Sequence, residues 1–175
     1  MSQQEHPFAS PSPAGLLVLA FYLGGLFPVL THLASPELIV VLVPLGLAGG
    51  MVQLTAGVIE LRNGSILSGN IMCAFSAFMF LGMGENILKA LELMPIDSAG
   101  VDGWVFLIMG IAMVSFTPGF FTNLAGGLFM ITTDIFFCTA GLSWLLGSEV
   151  LLTIAAWVIS LIILFIFWQV FGMVL

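Results

Sequence analysis

Apolar residues fill six long blocks of this chain, separated by short stretches of Gly, Pro, Ser, Asn and acidic residues. The blocks fall at about 14–33, 38–61, 66–83 with an extension as far as Lys89, 104–121, 124–146 and 150–175. A membrane-crossing helix needs about 20 mostly apolar residues, so the pattern predicts an all-α membrane protein with six transmembrane helices. Residues 103–133 carry no charge and are too long for one span, and Pro118-Gly119 with Thr122-Asn123 supplies the turn that divides them. Residues 85–103, acidic and holding Pro95 and Gly100, read as the one long connection. The polar, proline-containing start does not have the form of a cleavable signal. The expected organisation is therefore a polar tail over 1–13 and one six-helix channel or transporter unit over 14–175.

Six spans place both ends of the chain on the same side of the membrane. Arg62 falls on that side and Lys89 on the other, so basic residues give only a slight preference for termini inside the cell. Leu47-Ala48-Gly49-Gly50 in the second block echoes Leu124-Ala125-Gly126-Gly127 in the fifth, each followed by a threonine, Thr55 or Thr132. Such an echo is what a 3+3 inverted repeat of transporter type would leave.

Composition agrees with the pattern. The chain is 61% hydrophobic and 6% charged, against about 25% charged for a soluble domain. Its net charge of −7 opposes nucleic acid as a partner and gives no basic patch for anionic lipid; the surrounding bilayer is its expected partner. Cys73 and Cys138 lie inside apolar blocks and read as small hydrophobes. Neither His6 nor His32 has a carboxylate or Cys at metal-ligand spacing, and no nucleophile elbow, phosphate loop or dinucleotide fingerprint is present. Neither an enzyme, a bound metal nor a cofactor is expected.

The candidate chemistry lies in the few polar groups at membrane depth, each of which needs a partner there. They are Gln53 and Thr55 in the second block, Asn70 and Ser76 in the third, and Thr132, Thr133 and Asp134 in the fifth. Amides and hydroxyls serve equally as glue between helices. Asp134, the one acid well inside a span, is a functional candidate by default, or a buried acid bonded to a neighbouring Thr. Phe75, Phe78 and Phe80 in the third block, with Phe136 and Phe137 in the fifth, suit a constriction closed by dewetting.

The run from Gly49 to Gly64 contains Gly49-Gly50, Gln53, Ala56-Gly57, Glu60 and Gly64 at fixed spacing. It resembles the G-G-x-x-Q-x-x-A-G-x-x-E-x-x-x-G signature of the acetate uptake transporter family, which includes the bacterial succinate–acetate permeases. Ser10-Pro11-Ser12-Pro13-Ala14-Gly15-Leu16 is similar to the family's N-P-A-P-L-G-L, with Ser10 for its Asn and Ala14 for its Leu. The resemblance implies a homohexameric ring of six-helix protomers in a prokaryotic cytoplasmic membrane, each protomer with its own pore for acetate and similar small carboxylates, possibly succinate. The family's Gln and Glu map to Gln53 and Glu60, which, with Asn70, Thr133 and Asp134 from the polar groups at membrane depth, make up the expected substrate pathway. The implied hydrophobic constriction falls at Leu19 or Phe21, Phe75 and Ile135. Asp134 departs from the family, which has a small polar residue there.

With no basic residue inside a span, an acetate anion would rely on amides, hydroxyls, helix N-termini and water, or cross as the neutral acid. Asp134 is accordingly expected to carry a proton, to point away from the pore, or to relay a coupled proton. Two other classes stay open: a channel for a neutral solute such as urea, echoed by Glu85-Asn86-Ile87-Leu88-Lys89, and a structural subunit of a larger membrane complex.

Overall fold

The computed structural model describes residues 9–93 and 98–175. Six helices carry the fold: α1 (Ser12–Leu30), α2 (Leu42–Arg62), α3 (Ile66–Ala90), α4 (Ala99–Phe116), α5 (Leu124–Leu146) and α6 (Glu149–Val174). At about 1.5 Å per residue each is long enough for a hydrocarbon layer of about 30 Å, α4 with the turn that follows it. All six are apolar enough to cross a membrane, and the chain is an integral multi-pass membrane protein.

Local signals in the sequence explain most of the boundaries. Pro13 stands in the first turn of α1, where its missing N–H costs nothing. Asn123 caps α5 by accepting from the Gly126 N–H at 2.7 Å, and Ser148 caps α6 by accepting from Leu151. Pro118-Gly119 lies in a 3-10 turn, Thr117–Phe120, between α4 and α5, where the sequence places the break.

Two expectations need correction. The second block does not begin as α-helix: Pro36–Val41 is a separate 3-10 turn, because Pro44, in the first turn of α2, has no N–H to give the Val40 carbonyl that a continuous α-helix would pair with it. The connection expected over 85–103 is far shorter. Helix α3 continues through Glu85 and Lys89, and α4 already includes Asp102, because charged side chains at helix ends reach the membrane surface. Pro95 and Asp97 of that connection, like His6 in the tail, lie outside the described residues.

Helix α2 packs against α1 and α3, α5 packs against α4 and α6, and α1 joins α6. The grouping is thus three and three. The tetrapeptide echo does not mark equivalent places in it, for Gly49-Gly50 lies in the body of α2 whereas Gly126-Gly127 opens α5.

Two crossings are close enough to exclude side chains. A Cβ on Gly57 would lie 2.9 Å from the Gly69 carbonyl and 2.6 Å from Cys73 Sγ, where α2 meets α3. A Cβ on Gly141 would lie 2.7 Å from the Leu107 amide and 2.8 Å from the Gly103 carbonyl, where α5 meets α4. In lipid, where water drives no helix association, such backbone approach is a main source of packing energy. Both cysteines serve these seams as small fillers, Cys73 against Gly57 and Cys138 against Gly110.

Candidate functional site

Two cavities formed by the described residues lie one above the other in the interior. The larger, about 150 Å³, occupies the half of the bundle away from the termini. Its outer end is lined by Glu85, Asn86, Lys89 and Asp102, and its inner end by Leu19, Phe75 and Thr133. The smaller, about 40 Å³, lies toward the terminus side among Ser12, Leu16, Gln53, Ser68, Met72, Phe129 and Gln169. Among the described residues Phe75 alone lines both cavities, and it is only 5% exposed.

Aromatic side chains form the wall of the larger cavity. Phe75 stacks on Phe137 at 6.1 Å, Phe78 meets Phe137 edge-on at 5.0 Å, and Phe106 meets Phe78 and Trp144, each at 4.5 Å. Edge-on and offset contacts of this kind hold rings in place, so the narrow point beside Phe75 has rigid surroundings. Thr133 presents no hydrogen to the cavity, because its hydroxyl donates to the Phe129 carbonyl at 2.8 Å. At the outer end Lys89 Nζ lies 3.8 Å from Asp102 and 4.0 Å from Glu85, and Ser98 donates to Asp102. One ammonium against two carboxylates leaves that mouth without excess positive charge to concentrate anions.

On the terminus side the signature residues hold α1 to α2. Glu60 is buried and accepts from Ser10 Oγ at 2.5 Å and Ser12 Oγ at 2.7 Å. These two serines replace the charged or amide partners a buried carboxylate often takes, and such bonds to an ionised acceptor are strong ones. Gln53 Nε2 donates to the Gly15 carbonyl at 3.1 Å.

The residues expected on the pathway therefore divide. Gln53, Thr133, Leu19 and Phe75 line the cavities, and Glu60 reaches the smaller one through Ser12. Asn70 is exposed on the outer surface. Phe21 and Ile135, 57% and 43% exposed, also face outward, since each is two positions along its helix from a residue that faces in. From α5 the cavity instead receives Thr133, Phe136 and Phe137. Sequence reasoning missed Phe106, Trp144, Tyr22 and Gln169; only Gln169 carries a signal, as the one amide in the last apolar block.

Asp134 is not among the residues lining either cavity. It accepts from Thr117 Oγ1 at 2.6 Å, tying α5 to the end of α4. Asp134→Asn keeps a hydrogen-bonding side chain of the same size, so its stability is expected within about 0.5 kcal/mol of the parent. Asp134→Leu removes that acceptor and leaves the Thr117 hydroxyl only its longer bond to the Met113 carbonyl, at 3.2 Å, so it is expected to cost about 1 kcal/mol, read as a lowered melting temperature in detergent. The Asn variant is also expected to keep the parent's pH profile of uptake, and a flattened profile would place Asp134 on the path after all.

Six membrane-crossing helices thus surround two stacked cavities parted by an aromatic ring, the architecture of a compact multi-pass membrane protein. A solved structure described as that of the bacterial acetate channel SatP matches it with a TM-score of 0.87, over 95% of this chain and 92% of that chain, at 16% identity. That likeness establishes the fold, the one the sequence resemblance implies. No family model matches the chain, and no curated protein matches it.

Proposed function

We propose that this chain belongs with the acetate uptake transporters and passes acetate and similar small monocarboxylates through each protomer. The observation that carries the reading is the stacking of two cavities on either side of Phe75, in the same fold as an acetate channel. The signature residues Gln53 and Glu60 support it by shaping the smaller cavity. An apolar narrow point passes a solute only after it sheds water. With Lys89 the sole basic residue among the lining side chains, and already paired, nothing basic compensates a dehydrated anion there. Passage thus favours an acid that carries its proton across, as in proton-coupled transport, over a free anion channel. Succinate, with two carboxyl groups, meets this cost twice and is the poorer substrate.

The ring of six and the cytoplasmic placement of the termini in a prokaryotic membrane come from the resemblance and complete the proposal. The outward-facing Phe21, Ile135 and Asn70 suit contact with lipid or with a neighbouring protomer.

Purified protein in liposomes is expected to take up radiolabelled acetate above empty controls, increasingly so as the outside is acidified. Urea uptake without acetate uptake would replace this reading by the neutral-solute channel.

A further inference from the structure

Two side chains in the smaller cavity have hydrogen-bonding capacity that the folded chain leaves unused. Gln53 is 1% exposed and Gln169 is 7% exposed. Gln53 Oε1 and Gln169 Nε2 are both buried without a partner among the described residues. The Gln53 amide is oriented by its own bond: Nε2 donates to the Gly15 carbonyl, which leaves Oε1 as the atom with spare capacity. An unpaired buried acceptor or donor costs about 1–3 kcal/mol. Here one of each lines the same space of about 40 Å³, roughly three times the 10–15 Å³ that a single water needs.

We propose that this cavity is a binding site for the neutral carboxyl group of a small acid, and equally for a primary amide. The pairing follows from donor and acceptor count. A protonated carboxyl has one donor, its O–H, for Gln53 Oε1, and one carbonyl acceptor for the Gln169 N–H. A primary amide offers the same pair, N–H to Gln53 and C=O to Gln169. A carboxylate offers acceptors only, so one of its oxygens would confront the Gln53 lone pairs. The other polar atoms do not rescue the anion: the Ser12 hydroxyl already donates to Glu60, and Ser68 is the one further hydroxyl lining the site. Among the described residues no titratable side chain lines this cavity, and Glu60 connects to it through Ser12. Selection of the neutral form is thus built into two amides. The assignment rests on the acetate reading for which acid is bound, and it adds a ligand class, small amides, that the reading alone does not include.

Binding is measured on purified protein in detergent by ligand-observed nuclear magnetic resonance, with acetamide and acetate as probes. A carboxylic acid of ordinary strength titrates at about 4.3. Acetate is expected to bind at about pH 4 and to weaken at least tenfold by about pH 7.5, tracking its loss of the proton. Acetamide is expected to bind alike at both and to displace acetate at the lower. Gln169→Met keeps the side chain's length and removes the donor, and is expected to weaken both probes about tenfold. Acetate that binds as well or better at the higher pH, or acetamide that fails to displace it from the parent protein, would overturn the assignment; neither result depends on the variant's folding. Amide binding that depends on Gln169, in protein that gives no acetate flux in liposomes, would refute the transport reading and leave this site standing.

Discussion

Replacing Phe75 with alanine is expected to raise acetate flux on the order of tenfold, which corresponds to about 1.4 kcal/mol off the barrier. The same variant should raise the flux of the larger lactate relative to acetate. Phe75 lies between the two cavities, so its removal joins them into one continuous space lined by Leu16, Leu19 and Phe129. Passage through an apolar neck depends on radius and on wetting, and losing the ring changes both in the same direction. Phe75→Ser should leak more than Phe75→Ala, since a hydroxyl in the widened neck favours water further. Truncating a buried Phe ordinarily costs about 3–5 kcal/mol, so folded yield and flux per folded protomer have to be measured together. Unchanged selectivity in both variants would make Phe75 a packing residue only.

Gly141→Val is expected to abolish the folded bundle. The Cβ it introduces would meet the Leu107 amide and the Gly103 carbonyl at 2.7 and 2.8 Å, and neither is the movable end of a side chain. The two helices would have to part along their tightest seam. Overpacking ordinarily costs about 1–3 kcal/mol, and contact against backbone places this case at the top of that range or beyond it. Gly84→Val is the control, because nothing lies within 4 Å of a Cβ there. Size-exclusion chromatography in mild detergent after graded heating distinguishes them: the Gly84 variant should elute like the parent, the Gly141 variant as aggregate.

Much of this architecture is legible in the sequence because the bilayer enforces it. Every spanning segment must satisfy its own backbone and present an apolar surface, so length and hydropathy alone mark the six helices. Turn and cap chemistry at Pro118-Gly119, Asn123 and Ser148 then places the breaks. What does not transfer is rotation about each helix axis. In a soluble helix the polar face shows which way is out, but Phe21 and Leu19, or Ile135 and Thr133, are apolar or nearly so on both sides. One member of each pair faces outward and the other the cavity, and no periodicity in the letters separates them. Gln53 and Glu60 were readable because their spacing is shared with a family. Gln169 was not, because a lone amide near the end of a long apolar block also reads as an interfacial residue. The ends of α3 and α4 misled for a related reason: charge at Glu85 and Asp102 suggests loop, whereas both sit in regular helix.

The two glycine seams have a mechanical consequence. Each welds a pair of helices, α2 with α3 and α4 with α5, into a stiff jaw. One jaw carries Phe75 and Phe78, the other Thr133, Phe136 and Phe137, and they touch through aromatic rings. The bore between them is therefore set like the gap of a calliper, by the spacing of two rigid bodies rather than by the motion of a loop. A jaw pair of this kind has one graded size limit, the same for solutes arriving from either side of the membrane.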